Sequence, residues 1–216
     1  MPFPEIKEGK GFTDHPAARG DRVKIVRYPH PILAYPSKPV KRIDQGFRDI
    51  AAEMLDLMYD AEGVGLAANQ VGLPYQLLVM NPTGDPTQKE EEYIFVNPVI
   101  QKRGGGLKDF QEGCLSFPEL HLVISRPDAV TFQAIGLDGQ PVTLSWKGIK
   151  ARIFQHETDH LRGQCFYQRA KLSGELQAKA ALEAFAAEYE ADRGRGLIPS
   201  DSEIAAQIAE LEKEHC

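Results

Sequence analysis

Two histidines four residues apart with a glutamate after the first, in Gln155-His156-Glu157-Thr158-Asp159-His160, tie the fold of this chain to one helix. At about 100° per residue, His156 and His160 fall on one helical face and Glu157 stands beside them. Two imidazoles so placed can hold one metal ion while the carboxylate faces the open position, an arrangement that belongs to hydrolases. Ile149, Ile153, Phe154 and Leu161 make the surrounding segment apolar-faced, so the rest of the chain is expected to wrap around it.

A catalytic site of this type needs a third protein ligand. In HExxH zinc endopeptidases it comes from a Glu or His downstream. Here the downstream carboxylates Glu175 and Glu183 lie in an Ala-rich, charged stretch that reads as a solvated helix face, and no HxxGxxH extension follows His160. Upstream, Glu112-Gly113-Cys114-Leu115-Ser116 offers a thiolate, which is a strong ligand for zinc or ferrous iron. Cys114 is the better candidate. A zinc endopeptidase and a metal-binding scaffold without turnover stay open as alternatives.

The segment Gly63-Val64-Gly65-Leu66-Ala67-Ala68-Asn69-Gln70 fits the glycine spacing of a dinucleotide-binding loop. That loop needs a strand before it and a helix after it. Here the order is reversed. Ile43, Phe47, Ile50, Ala51, Met54, Leu55, Met58 and Ala61 recur at helical spacing over Gln45 to Glu62, and Tyr75 to Met80 reads as a buried strand. The glycines therefore make sense as the wall of a cleft, where an extended peptide pairs with backbone groups around Val64 and Gly65. Gln70 adds a side-chain amide.

Together these three segments, the last extended through Leu161-Arg162-Gly163, resemble the three signature motifs of peptide deformylases, in the same order and over roughly Val23 to Leu172. The resemblance implies removal of the N-formyl group from nascent polypeptides that begin with formyl-methionine. It implies one divalent metal on Cys114, His156 and His160, with Fe2+ favoured in the cell; the donor set also suits Zn2+, Ni2+ and Co2+. Glu157 would act as general base and then general acid. The amide of Gln70 and the backbone N–H of Leu115 would donate to the oxyanion. Val64, Phe110, Ile149 and Ile153 would line the methionine slot, with Gly65 on the peptide path. Ligating histidines donate their second ring N–H to a carboxylate or carbonyl, which makes Glu112 a candidate partner, and Asp159 is expected to pair with Arg126.

Two positions depart from the pattern. Arg152 falls where many relatives are apolar, so its stem is expected to cover the slot with the charge in water. His121 stands where bacterial members carry an arginine near the peptide path, which concerns residues beyond the methionine.

The predicted class is α+β: antiparallel β-sheets packed around the central HExxH helix, with a helical C-terminal extension. Residues 1–22 read as a polar arm, 23–172 as the catalytic domain and 173–216 as an acidic extension. Expected elements include a short strand at Val23 to Val26, an exposed loop at Asn81 to Glu92, a flexible turn at Gly104 to Gly106 and a hairpin turn at Leu137 to Gln140. Gly163 is placed to end the metal helix. Two helices follow, Glu175 to Ala191 and Asp201 to Glu214, the second with a Ser200–Glu203 capping box. Its stripe of Ile204, Ile208 and Leu211 either docks on the domain or serves self-association.

From residue 175 onward the chain carries ten acids and four bases, which accounts for the whole net charge of −6. Such a tail is repelled by ribosomal RNA, which argues against direct nucleic-acid binding. The resemblance implies formyl-methionyl nascent polypeptides near the ribosome as partners, and no membrane binding is expected. Cys114, Cys165 and Cys216 are too few and scattered for a disulfide framework, and no signal-peptide or membrane-length segment is evident. The expected compartment is the cytoplasm.

Overall fold

The computed structural model describes residues 23–216; the expected arm over residues 1–22 lies outside them. Nine principal elements follow in order: α1 (Gln45–Asp60), β1 (Gly65–Ala67), β2 (Leu77–Met80), β3 (Tyr93–Cys114), β4 (Phe117–Ile135), β5 (Pro141–Lys147), α2 (Gly148–His160), α3 (Leu172–Gly194) and α4 (Asp201–His215). Asp44 caps α1 by accepting from the Phe47 N–H at 3.0 Å, and the helix buries Phe47, Ile50, Ala51, Met54, Leu55 and Met58. It stops at Asp60, two residues short of the expected end. Glu62 adopts a left-handed φ of 55°, and the Gly63 N–H bonds back to the Met58 carbonyl at 2.8 Å, which closes the helix end.

The strands form one antiparallel sheet in the order β1-β2-β3-β4-β5, with β1 paired on one side only. The expectation of separate sheets is thereby corrected. β3 and β4 run for 22 and 19 residues and bend through register shifts, so a single ladder serves every layer. Gly104 to Gly106 are part of β3, not a free turn. Gly105 and Gly106 have φ of 78° and 71° and take up the shift between Gly104 and Leu107, a conformation glycine adopts without steric cost. The segment Val23 to Val26 forms no strand; the Val26 N–H bonds to the Gln70 carbonyl and the Tyr28 N–H to the Ser116 carbonyl, in two different parts of the chain. The Leu137 to Gln140 turn joins β4 to β5 as expected.

Every residue of α2 from Ala151 to His160 is buried, and the helix packs on β1, β2, β4 and β5. Phe154 stacks on Phe132 with centroids 3.7 Å apart, inside a cluster with Phe95 and Trp146. Gly163 follows the helix with φ of 70°, and a Cβ there would lie 2.4 Å from the Ala34 carbonyl oxygen. Both reasons require glycine.

α4 docks on the domain. Its Ser200–Glu203 capping box forms, and Ile204 and Ile208 are buried against Ile32, Tyr35 and Ile198. Tyr35 donates to Glu212 at 2.6 Å, Tyr75 to the Leu211 carbonyl at 3.0 Å, and the Lys41 N–H to the His215 carbonyl at 2.6 Å. Deleting residues 201–216 should therefore destabilise the chain by about 3–6 kcal/mol from the two isoleucines alone. Urea unfolding measures this; an unchanged midpoint would mean that the helix docks without stabilising the core.

Candidate metal centre

β3 delivers Cys114 at its C-terminal end, and α2 delivers His156 and His160 from one face. Their ligand atoms all lie within 4.8 Å of one another, with Cys114 Sγ 3.2 Å from His160 Nε2. One thiolate and two imidazole nitrogens in that space fit a single divalent transition-metal ion. Among the described residues this is the group of three that meets the geometry of a metal site. Of the downstream carboxylates, Glu183 is exposed on α3 near Lys179, and the side chain of Glu175 lies outside the described residues. The third ligand of an endopeptidase thus gains no support.

Behind the histidines runs a chain of buried ion pairs. His156 Nδ1 lies 3.0 Å from Glu112 Oε2, which leaves Nε2 toward the cysteine. Glu112 also accepts from Arg126 Nε and Nη2 at 2.7 and 2.9 Å and from Arg152 Nη1 at 2.6 Å. Burial alone would raise the Glu112 pKa, but hydrogen bonds from His156 and Arg126 outweigh it and hold the carboxyl down to about 2. Arg126 Nη1 reaches Asp159 at 2.5 Å, and Arg169 pairs with the same carboxylate. Burial holds the His160 pKa well below its ordinary value, which favours the neutral imidazole that a metal would need. Asn69 donates to the His160 carbonyl at 2.5 Å.

Glu157 is 4 % exposed, and among the described residues its Oε2 has no hydrogen-bond partner. Burial pushes its pKa up to about 7, in the range useful for moving protons near neutrality. Its room exists because residue 65 is glycine: a Cβ there would lie 2.5 Å from Glu157 Oε1 and 2.9 Å from Ile153 Cγ2. Gly65→Ala should therefore keep its metal and lower kcat at least tenfold by displacing the carboxylate, an effect in the range expected when a reacting group is misplaced. Metal content and kcat measured together check it; an unaltered kcat would show that the carboxylate has slack.

Gln70 accepts the Ala67 N–H on Oε1 at 2.9 Å and turns its NH2 toward Cys114 Sγ at 3.4 Å and Ser116 Oγ at 3.3 Å. A cavity of about 660 Å³ opens above, lined by Val64, Gly65, Gln70, Phe110, Cys114, Leu115, Ile149, Ile153, His156 and Glu157. Val64, Phe110 and Ile149 are partly exposed at its mouth, while Ile153 is buried. His121 lines the same cavity against Gly113. Arg126, Asp159 and His160 are not among its lining residues.

Arg152 corrects the sequence reading. It is 8 % exposed, and both terminal nitrogens of its guanidinium are held by protein groups instead of standing free in water. A second cation is needed there because Glu112, already buried, faces an imidazole on one side and carries a full negative charge. The only sequence signal was its position, four residues before His156 on the same helical face. Arg169 carried no signal, and Asn69, though inside the glycine segment, gave none for its bond to the His160 carbonyl, since tertiary packing sets both contacts.

The fold and its centre define a class: an α+β metallohydrolase acting on a substrate held in an open cleft. The family model described as polypeptide deformylase matches residues 22–175. A peptide deformylase from Rhodopirellula baltica is 40% identical over 190 residues, 88% of this chain and 94% of that one. The chloroplastic/mitochondrial peptide deformylase 1B of Arabidopsis thaliana is 39% identical over 185 residues, 86% of this chain and 66% of the relative. The crystal structure of a plant peptide deformylase 1B aligns with a TM-score of 0.78 at 40% identity, covering 83% of this chain and 95% of that one. A Legionella pneumophila peptide deformylase aligns at 0.70 and 34% identity, over 82% and 99%. The chain belongs to the peptide deformylase family, metal-dependent hydrolases that remove the N-formyl group from newly synthesised polypeptides.

Proposed function

We propose that Cys114, His156 and His160 hold one divalent metal ion and that Glu157 moves the proton of the deformylation reaction. The observation that carries this reading is the three ligand atoms within 4.8 Å of one another, with the buried Glu157 next to His156 on α2. The bound ion supplies Lewis acidity, polarising the formyl carbonyl and acidifying water. Glu157 takes the proton of the attacking water and passes it to the departing amine nitrogen, so formate and a free methionyl amine leave. The Gln70 NH2 and the Leu115 N–H donate to the carbonyl oxygen as it gains charge.

Val64 is tied to Asn81 through its carbonyl at 3.1 Å, so the backbone of Gly65, on the unpaired side of β1, receives the peptide as an added strand. Val64, Phe110, Ile149 and Ile153 surround the methionine side chain, whose flexible thioether adapts to such a wall. Glu112 orients His156, and Arg126 with Asp159 fixes Glu112 to α2. Ferrous iron is the proposed ion, and zinc, nickel and cobalt fit the same donors. The 23–172 segment carries this machinery, and 173–216 braces it.

The proposed partners are formyl-methionyl nascent chains close to the ribosome, met through the chain terminus itself and not through nucleic acid or membrane. No helix of the described residues is long and apolar enough to cross a membrane. The free thiols of Cys114, Cys165 and Cys216 suit a reducing compartment, which supports the cytoplasm. The test is metal analysis of protein purified without oxygen, paired with formate release from a formyl-methionyl tripeptide. Cleavage of internal bonds in unformylated peptides, without formate, would return the reading to an endopeptidase.

A further inference from the structure

One wall of the side-chain slot is not apolar, because Arg152 lines the cleft beside Ile149 and Ile153. Its Nη1 donates to Glu112 Oε1 at 2.6 Å and to the Ile124 carbonyl at 3.1 Å, and its Nη2 to the Lys108 carbonyl at 2.6 Å. Bonds to β3 and β4 thus fix the guanidinium plane, and the Phe110 ring centre lies 5.4 Å from its carbon. A guanidinium has five N–H donors in a rigid fork. The Nε–H takes part in none of these bonds. Nor is Nε among the buried polar atoms left without a partner, so solvent reaches it in a residue that lines the cleft.

We propose that Arg152 is a specificity-determining residue, presenting a charged N–H donor to the acceptor at the tip of the substrate's first side chain. The inference rests on the deformylase reading above. A thioether sulfur is a weak acceptor, and the Phe110 face beside the guanidinium adds a sulfur–aromatic contact. The oxygen of methionine sulfoxide is a far stronger acceptor. A wholly apolar slot rejects it, since burying an unpaired polar oxygen is costly, whereas a slot with a fixed guanidinium donor accepts it. The side chains favoured are therefore flexible ones, unbranched at Cβ and Cγ, with an acceptor near the tip, the sulfoxide included.

The experiment uses the metal-loaded full chain and three formylated tripeptides that differ only in the first residue: methionine, norleucine and methionine sulfoxide. The readout is kcat/KM for sulfoxide over kcat/KM for norleucine, measured on one enzyme, so metal loading and folded fraction cancel. The wild-type ratio is expected near or above one. In Arg152→Leu it should fall by about tenfold or more, the scale of a lost hydrogen bond to a charged group. Arg152→Lys keeps a cation beside Glu112 and should hold the ratio within severalfold. A wild-type ratio near one hundredth, or a ratio that Arg152→Leu leaves unchanged, overturns the proposal, and the wild-type value decides even if the leucine variant fails to fold. Formate from the norleucine peptide with the sulfoxide rejected sinks this inference alone. Absence of formate from all three peptides sinks the deformylase reading as well.

Discussion

Cys114→Ala, His156→Ala and His160→Ala each leave the purified chain without metal and without measurable formate release. The effect is complete because three protein ligands are the minimum for a catalytic site that keeps one position open. His156→Ala should also destabilise the fold, since it removes one of the partners of Glu112 deep in the ion-pair chain. Cys165→Ala and Cys216→Ala serve as controls. Cys165 is buried beneath Phe166 and Leu33, and burial pushes its thiol up to about 12, so it stays protonated and does not compete for the ion. Metal content by elemental analysis, followed beside formate release, separates the outcomes. A fully loaded Cys114→Ala protein would remove the cysteine from the centre.

Glu157→Gln is expected to keep both fold and metal while kcat falls by about 10²–10⁴-fold, the usual contribution of a positioned acid–base group. The substitution conserves shape and hydrogen-bonding capacity and removes only the base. Among the described residues Glu157 Oε2 has no hydrogen-bond partner, so its replacement breaks no structural pair there. KM should change little, because the residue acts on the water and the leaving amine more than on the resting substrate. Formate release near the wild-type rate by metal-loaded Glu157→Gln would show that another group moves the proton.

Much of the centre was legible because it is written locally. The i, i+4 histidines and the adjacent glutamate fix their own geometry once the segment is helical, and the cysteine lies in a short run at one strand end. The Gln45 helix and the Ser200–Glu203 cap were readable from periodicity and capping chemistry for the same reason. What the sequence hid depends on distant partners. The 22-residue β3 contains three consecutive glycines, and nothing local distinguishes a bulge from a turn; the pairing with β4 decides it. Arg152 read as a snorkelling cation because its partners, Glu112 and the carbonyls of Lys108 and Ile124, lie 28 to 44 positions away. The docking of α4 was one of two open readings, and contacts spanning more than 130 positions resolved it in favour of the core.

The short strand β1 has a consequence of its own for the free protein. An edge with unsatisfied N–H and C=O groups is a template for any stray strand, and long flat edges lead to aggregation. This one is three residues long, framed by the left-handed Glu62 before it and by a 3-10 turn ending at the left-handed Gly72 after it. A second protein molecule therefore finds too few rungs to climb. A short flexible chain end finds enough, and because rungs are made of backbone, the edge is blind to which protein that end belongs to.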